Sequence, residues 1–238
     1  MALLKRQAVA GNVSAMTDLG LNLLEGIQDR KGRSIVRRNP SVAVTWFREA
    51  ARCGDSTAAG SLGYAYDIGL GIRRNRNQAI RWYRQAAKSG NSGAASNLAT
   101  VFRDAGSAQL AFQWWKRSAD MRDGDAAVDV GYCYQYGIGT RKNPAKAKLR
   151  FRRAIASKHV TQAGREAAMY HLALQYVDKG KLRYALPLLK LATVDDDFPE
   201  AAAVLDRIKA ESDFVPCRCR RFVDKNLRGH TRCLLHTR

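Results

Sequence analysis

The sequence predicts an all-α fold, an α-solenoid of stacked antiparallel helix pairs, and three observations predict it. Helix formers dominate the 238-residue chain, which holds five prolines and no β-branched runs. Glycine followed by Asn or Asp recurs at Gly11, Gly54, Gly90 and Gly124, with spacings of 43, 36 and 34 residues. Between these marks one interior pattern returns: a helix with a central glycine, a glycine-rich turn, then a helix with paired aromatics and paired small residues. A fixed period of this size signals an array of helix pairs, each of which buries its apolar face against the next.

Each element has a local cause. The recurring glycine ends a helix by accepting a left-handed backbone, and the Asn or Asp after it caps the helix that follows. The first helix of a unit carries Leu19-Gly20, Leu62-Gly63 and Val130-Gly131, three residues before Leu23, Tyr66 and Tyr134. Glycine inside a helix costs about 1 kcal/mol against alanine. Its return at one position therefore marks a place where a neighbouring helix comes too close for a side chain.

Gly69-Leu70-Gly71 and Gly137-Ile138-Gly139 follow as turns. A phosphate loop also uses glycines, but it needs a preceding strand and a Gly-Lys-Ser or Gly-x-Gly-x-x-Gly continuation, and neither is present. The second helix opens after Asn39-Pro40, Asn77 and Asn143-Pro144. It carries Trp46-Phe47, Trp82-Tyr83 and Trp114-Trp115, with Ala50-Ala51, Ala86-Ala87 and Ser118-Ala119 four residues on. At that spacing the small residues share a face with the rings and let the next pair stack, so the aromatics read as core rather than as a platform for bases.

These motifs, LGxxYxxGxG and then AxxWYxxAAxxGN, resemble the Sel1-like repeat family, a relative of the tetratricopeptide repeat. Residues 58–91 fit nearly throughout. Residues 15–55 fit apart from an insertion near positions 28–35, and residues 126–157 keep VGYCYQYGIGT but place Phe151 at the aromatic position. Residues 94–125 are degenerate, with Ala99 for the helix glycine and a turn shortened to Asp104-Ala105-Gly106. The resemblance covers residues 5–158 and implies a right-handed α-solenoid. From Arg165 the pattern becomes an ordinary tetratricopeptide unit, and a last helix from Phe198 to Ala210 would close the stack. The domain expectation is a solenoid of about five helix pairs over residues 1–211 and a basic Cys/His tail over 212–238.

The resemblance implies a non-enzymatic scaffold that binds a protein partner on its concave face, with Ala65, Tyr66, Cys133 and Gln135 of the first helices as candidate contacts. No spacing of nucleophile, base and orienting group supports an enzyme. The Asp195-Asp196-Asp197 cluster reads as a capping loop, and His171 as a satisfied structural residue.

Charge gives the second reading. A net charge of +20, from 41 Lys and Arg against 21 Asp and Glu, draws a protein to polyanions. Basic residues crowd the connections between helices: Arg30, Lys31, Arg33, Arg37 and Arg38, then Arg73, Arg74, Arg76, Arg81 and Arg84, then Arg141, Lys142, Lys146, Lys148 and Arg150. They form either an intermittent ridge for nucleic acid or another polyanion, or a solvated face.

The tail supplies Cys217, Cys219, Cys233 and His236, the four soft ligands of a structural zinc, with His230 as an alternate. The competing reading is a basic tail of free thiols. No run reaches eighteen apolar residues and the N-terminus lacks a signal-peptide pattern, so no membrane insertion and a cytoplasmic location are expected. Five cysteines, an odd number, do not read as a disulfide framework.

Overall fold

Side-chain caps set the helix boundaries. Asn12, Asn39, Asp55, Asn75, Asn91, Asn143 and Thr161 each accept a hydrogen bond from the backbone N–H three residues on, at 2.6–3.2 Å. Each such cap contributes about 1 kcal/mol. The computed structural model describes residues 2–28, 30–193 and 199–214, with side chains as far as residue 210. It forms two compact units that divide between Asp123 and Gly124.

The first unit holds α1 (Ala2–Val9), α2 (Val13–Glu25), β1 (Ile27–Gln28), β2 (Ser34–Val36), α3 (Pro40–Arg52), α4 (Ser56–Ile68), α5 (Arg76–Lys88), α6 (Ser92–Asp104) and α7 (Ala108–Asp120). The helices pack as the pairs α2–α3, α4–α5 and α6–α7, each pair against the next. The second unit holds α8 (Gly124–Tyr136), α9 (Pro144–Ala156), α10 (Gln162–Val177), α11 (Leu182–Leu191) and α12 (Pro199–Phe214), with pairs α8–α9 and α10–α11 and α12 against α11. The chain is an α-solenoid of stacked antiparallel pairs, as the period predicts.

The core is a ring set into a glycine notch. Phe47, Tyr83 and Phe151 are fully buried. A Cβ on Gly20, Gly63 or Gly131 would stand 2.5–2.6 Å from the ring of Phe47, Tyr83 or Phe151 respectively. The glycine therefore admits an aromatic side chain rather than a bare helix backbone. Burying each ring contributes roughly 2–3 kcal/mol. α12 closes the second unit by placing Ala201, Leu205 and Ile208 against Ala173, Ala185 and Leu189.

Two local expectations are corrected, the cap of α5 and the boundary after α7. The cap of α5 is Asn75, not Asn77, which lies one residue inside the helix. The repeat boundary after α7 lies at Arg122-Asp123 rather than Gly124-Asp125. Arg122 takes the left-handed backbone (φ 71°), and the Asp123 amide bonds to the Ser118 carbonyl as Asn91 does to Ala86. Gly124 belongs to α8 instead, where a Cβ would strike the His159 carbonyl at 2.6 Å. The insertion near position 28 folds as the antiparallel hairpin β1–β2, which buries Val36. The Asp195-Asp196-Asp197 cluster and the tail lie outside the described residues.

Candidate protein-interaction faces

The first helix of each repeat buries one side and exposes the other. On α4, Leu62, Gly63 and Ala65 are buried while Tyr64 and Ile68 are 43% and 51% exposed. On α8, Val130, Gly131 and Cys133 are buried while Tyr132 and Tyr136 are 40% and 46% exposed. The exposed pairs stand one and five residues after the notch glycine, so helical spacing gives both repeats the same outward apolar stripe.

In the second unit that stripe continues into α10. Tyr132 and Tyr136 have ring centres 4.6 Å apart, and both meet His171, at 5.2 and 6.1 Å. Tyr170 lies 5.2 Å from the same imidazole and Phe151 stacks on it at 5.5 Å. This aromatic surround strips water from His171, and burial lowers its pKa from 6.5 to about 4. Its Nδ1 is buried without a hydrogen-bond partner. His171 is thus structural, as the sequence suggests, but it is not satisfied.

The partner-contact candidates separate. Ala65 and Cys133 are each 1% exposed and Gln135 is 8% exposed, so these three face the interior and offer no surface to a partner. Gln135 instead accepts a hydrogen bond from Gln175 at 3.2 Å and donates one to the Tyr136 hydroxyl. Burial pushes the Cys133 thiol up to about 11, which suits an inert core thiol. Tyr66 is half-buried. Tyr64, Tyr132 and Tyr136 each stand one position from a residue singled out by sequence, and Ile68 stands two from Tyr66.

The anion candidates Arg73, Arg74, Arg76, Arg141 and Lys142 are exposed, yet two of them are occupied by the fold. Arg74 Nε donates to the Asp67 carbonyl at 2.7 Å, as Arg38 Nε does to that of Leu24 at 2.9 Å. Both carbonyls lie at the C-terminal end of a first helix, where unpaired acceptors favour a cation. The Arg76 guanidinium donates to the Val101 carbonyl of α6. Burial raises the Asp67 carboxyl, against the pull of Arg74 and Arg76. Arg141 and Lys142 belong to the second unit, where Lys142 backs Gly137 of the turn.

Among the described residues no group of three or more His, Cys, Asp or Glu side chains could hold a metal. Cys217, Cys219, His230, Cys233 and His236 lie outside those residues. No helix among the described residues is long and apolar enough to cross a membrane.

Known proteins agree with this geometry. A crystal structure of a protective antigen of uropathogenic Escherichia coli with an SLR fold is similar at a TM-score of 0.75 and 22% identity, over 87% of this chain and 43% of that one. A Sel1 repeat protein from Oxalobacter formigenes is similar at a TM-score of 0.68 and 24% identity, over 84% of this chain and 80% of that one. These likenesses establish the fold. A chitin synthase regulatory factor of Schizosaccharomyces pombe is 36% identical over 93 residues, which are 38% of this chain and 18% of that protein. The Sel1 repeat profile matches residues 13–55, 56–91, 98–123 and 124–159, more than half of the sequence. The chain belongs to the Sel1 repeat family.

Proposed function

We propose that the chain is a cytoplasmic, non-enzymatic scaffold that holds protein partners through the exposed apolar pairs carried by first helices in each unit. The observation that carries this reading is the repetition of exposed apolar pairs at one register, Tyr64 with Ile68 and Tyr132 with Tyr136. Tyrosine gives a large, rigid contact area with a polar tip and is enriched where proteins bind one another. The similar Schizosaccharomyces pombe protein is named a regulatory factor, and an action exerted through another protein is the kind proposed. The tail is proposed to bind a structural zinc through Cys217, Cys219, Cys233 and His236, which elemental analysis of the purified chain decides.

Affinity capture from lysate, with and without nuclease, tests the scaffold. Wild type should retain protein partners whether or not nuclease is added. The Tyr64→Ser/Ile68→Ser/Tyr132→Ser/Tyr136→Ser variant should lose them while keeping its helical circular dichroism. Capture that persists in the variant but vanishes with nuclease would overturn the scaffold in favour of nucleic acid.

A further inference from the structure

The connection between α9, α10 and α11 gathers four cations, Lys148, Arg152, Lys179 and Lys181, against one carboxylate, Asp178. Lys148 and Arg152 stand one turn apart on α9 and converge on one phenol near the end of α10. Arg152 donates to the Tyr176 hydroxyl at 3.1 Å, and the Lys148 ammonium lies 4.9 Å from the centre of the Tyr176 ring. Lys179 and Lys181 follow in the turn, and with Lys148, Leu172, Gln175 and Tyr176 they line a cavity of about 50 Å³. Arg183 sits beside it, 4.8 Å from the Tyr184 ring.

No ion pair among the described residues joins Lys148, Arg152, Lys179 or Lys181 to a carboxylate. Asp178 precedes Lys179 in sequence, is exposed, and is joined to none of these cations by an ion pair. Burial works to raise the Tyr176 phenol, and the hydrogen bonds and charges of Arg152 and Lys148 outweigh it, so the group lies below its ordinary value. A neutral phenol can accept from both cations but cannot cancel their mutual repulsion. An anion seated among them would turn that repulsion into attraction.

We propose that this cluster binds an acidic peptide segment of a protein partner, with one carboxylate in the cavity between Lys148, Lys179 and Lys181. The peptide is favoured over nucleic acid on two grounds. The Tyr176 ring is already engaged by two neighbours, the Lys148 ammonium at 4.9 Å and the stacked Tyr184 ring at 5.4 Å, which compete with a base for it. The cavity also admits a carboxylate head but not a base. That the partner is a protein rests on the scaffold reading, and this site narrows that partner's chemistry.

The test is fluorescence anisotropy of the full chain with a labelled oligoglutamate peptide of about ten residues, in ~0.1 M salt, where charges beyond roughly 10 Å are screened. A single-stranded oligothymidylate of equal charge is the competitor. Oligoglutamate should bind wild type, and Lys148→Ala/Lys179→Ala/Lys181→Ala should weaken it about tenfold or more with helicity unchanged. Tyr176→Phe keeps the ring but frees Arg152 and Lys148, and should weaken binding by about threefold. Arg73→Ala/Arg141→Ala should leave it within about twofold. Equal affinity of the triple variant overturns the proposal, as does oligothymidylate binding more tightly than oligoglutamate at the same lysines. Partner capture that survives while oligoglutamate fails to bind wild type overturns this site alone and leaves the scaffold standing.

Discussion

Residues 56–91 of the first unit and 124–159 of the second are two copies of one repeat that put their charges to different use. Both set a buried ring into a glycine notch, Tyr83 at Gly63 and Phe151 at Gly131, and both cap the second helix with Asn, at Asn75 and Asn143. Arg84 of α5 and Arg152 of α9 then occupy matching places, one residue past the buried ring. Each reaches an aromatic of the next first helix, three residues after Ala99 in one case and after Ala173 in the other. Arg84 lies 5.8 Å from the Phe102 ring, whereas Arg152 finds the Tyr176 hydroxyl. One oxygen separates the two. Phenylalanine can only stack beneath a cation, while tyrosine also accepts from it and draws a second cation in. Repeat proteins thus acquire distinct surfaces by single changes at the seams while the notch stays fixed.

The largest effect should come from breaking what the copies share. Gly63→Val and Gly131→Val each force branched carbon into space that the ring already fills, where a first Cβ alone would stand 2.5–2.6 Å away. Each should destabilise the chain by about 3 kcal/mol or more, at or beyond the upper end for overpacking. The degenerate third repeat has Ala99 in the same place, and its ring, Trp115, is 6% exposed rather than fully buried. Ala99→Gly should accordingly cost only about 1 kcal/mol through helix propensity. Urea midpoints of the three variants check the order. A Gly63→Val chain as stable as wild type would sink the notch account.

A smaller effect should separate the copies. His171 of α10 lies two residues before Ala173 and is half-buried among aromatics, while Asn97, two before Ala99, is exposed. The folded imidazole has its pKa lowered by burial from 6.5 to about 4. Its neutral form is the folded one, so its contribution is full above about pH 6.5 and declines as pH falls toward 4. The full shift corresponds to about 3 kcal/mol, and the partial solvent exposure of the imidazole reduces the loss to on the order of 2 kcal/mol. Urea unfolding of wild type and His171→Asn from pH 7 to 4 should give curves that converge as pH falls. Parallel curves would show that His171 carries no proton-linked stability.

The fold was readable because its causes are local and repeated. The notch glycines, the Asn caps and the paired aromatics are each written as residue types at fixed spacing. What escaped has physical reasons as well. Arg122 adopts a left-handed backbone that its side chain does not advertise, so the boundary was read two residues late at Gly124. Ala65, Cys133 and Gln135 sit on helices whose outward side is set by the notch, and the exposed residues are their neighbours at Tyr64, Tyr132 and Tyr136. The basic residues near Arg74 were counted as one class. Only contact distances distinguish Arg74, tied to a carbonyl, from Lys148, which shares a phenol with a second cation.

The smallest effect tests that distinction at one position. Arg74 and Lys142 both precede the cap Asn, but Arg74 Nε donates to the Asp67 carbonyl at 2.7 Å, while the Lys142 side chain makes no such bond among the described residues. The guanidinium has a fixed planar donor that can turn back on the helix end, whereas the ammonium is a flexible point charge that prefers water. Arg74→Lys should therefore destabilise by about 0.5–1 kcal/mol, the worth of an exposed hydrogen bond to a helix C-terminus. Lys142→Arg should stabilise by the same amount or less, because the matching carbonyl belongs to Gln135 at the equivalent place on α8. Thermal midpoints of the two single variants and of the double swap decide it. The swap should come out near wild type if the two sites are interchangeable in backbone. Equal and negligible shifts in both single variants would mean that the Arg74 bond is no part of what holds the turn, and Arg74 would return to the pool of cations free to meet an anion.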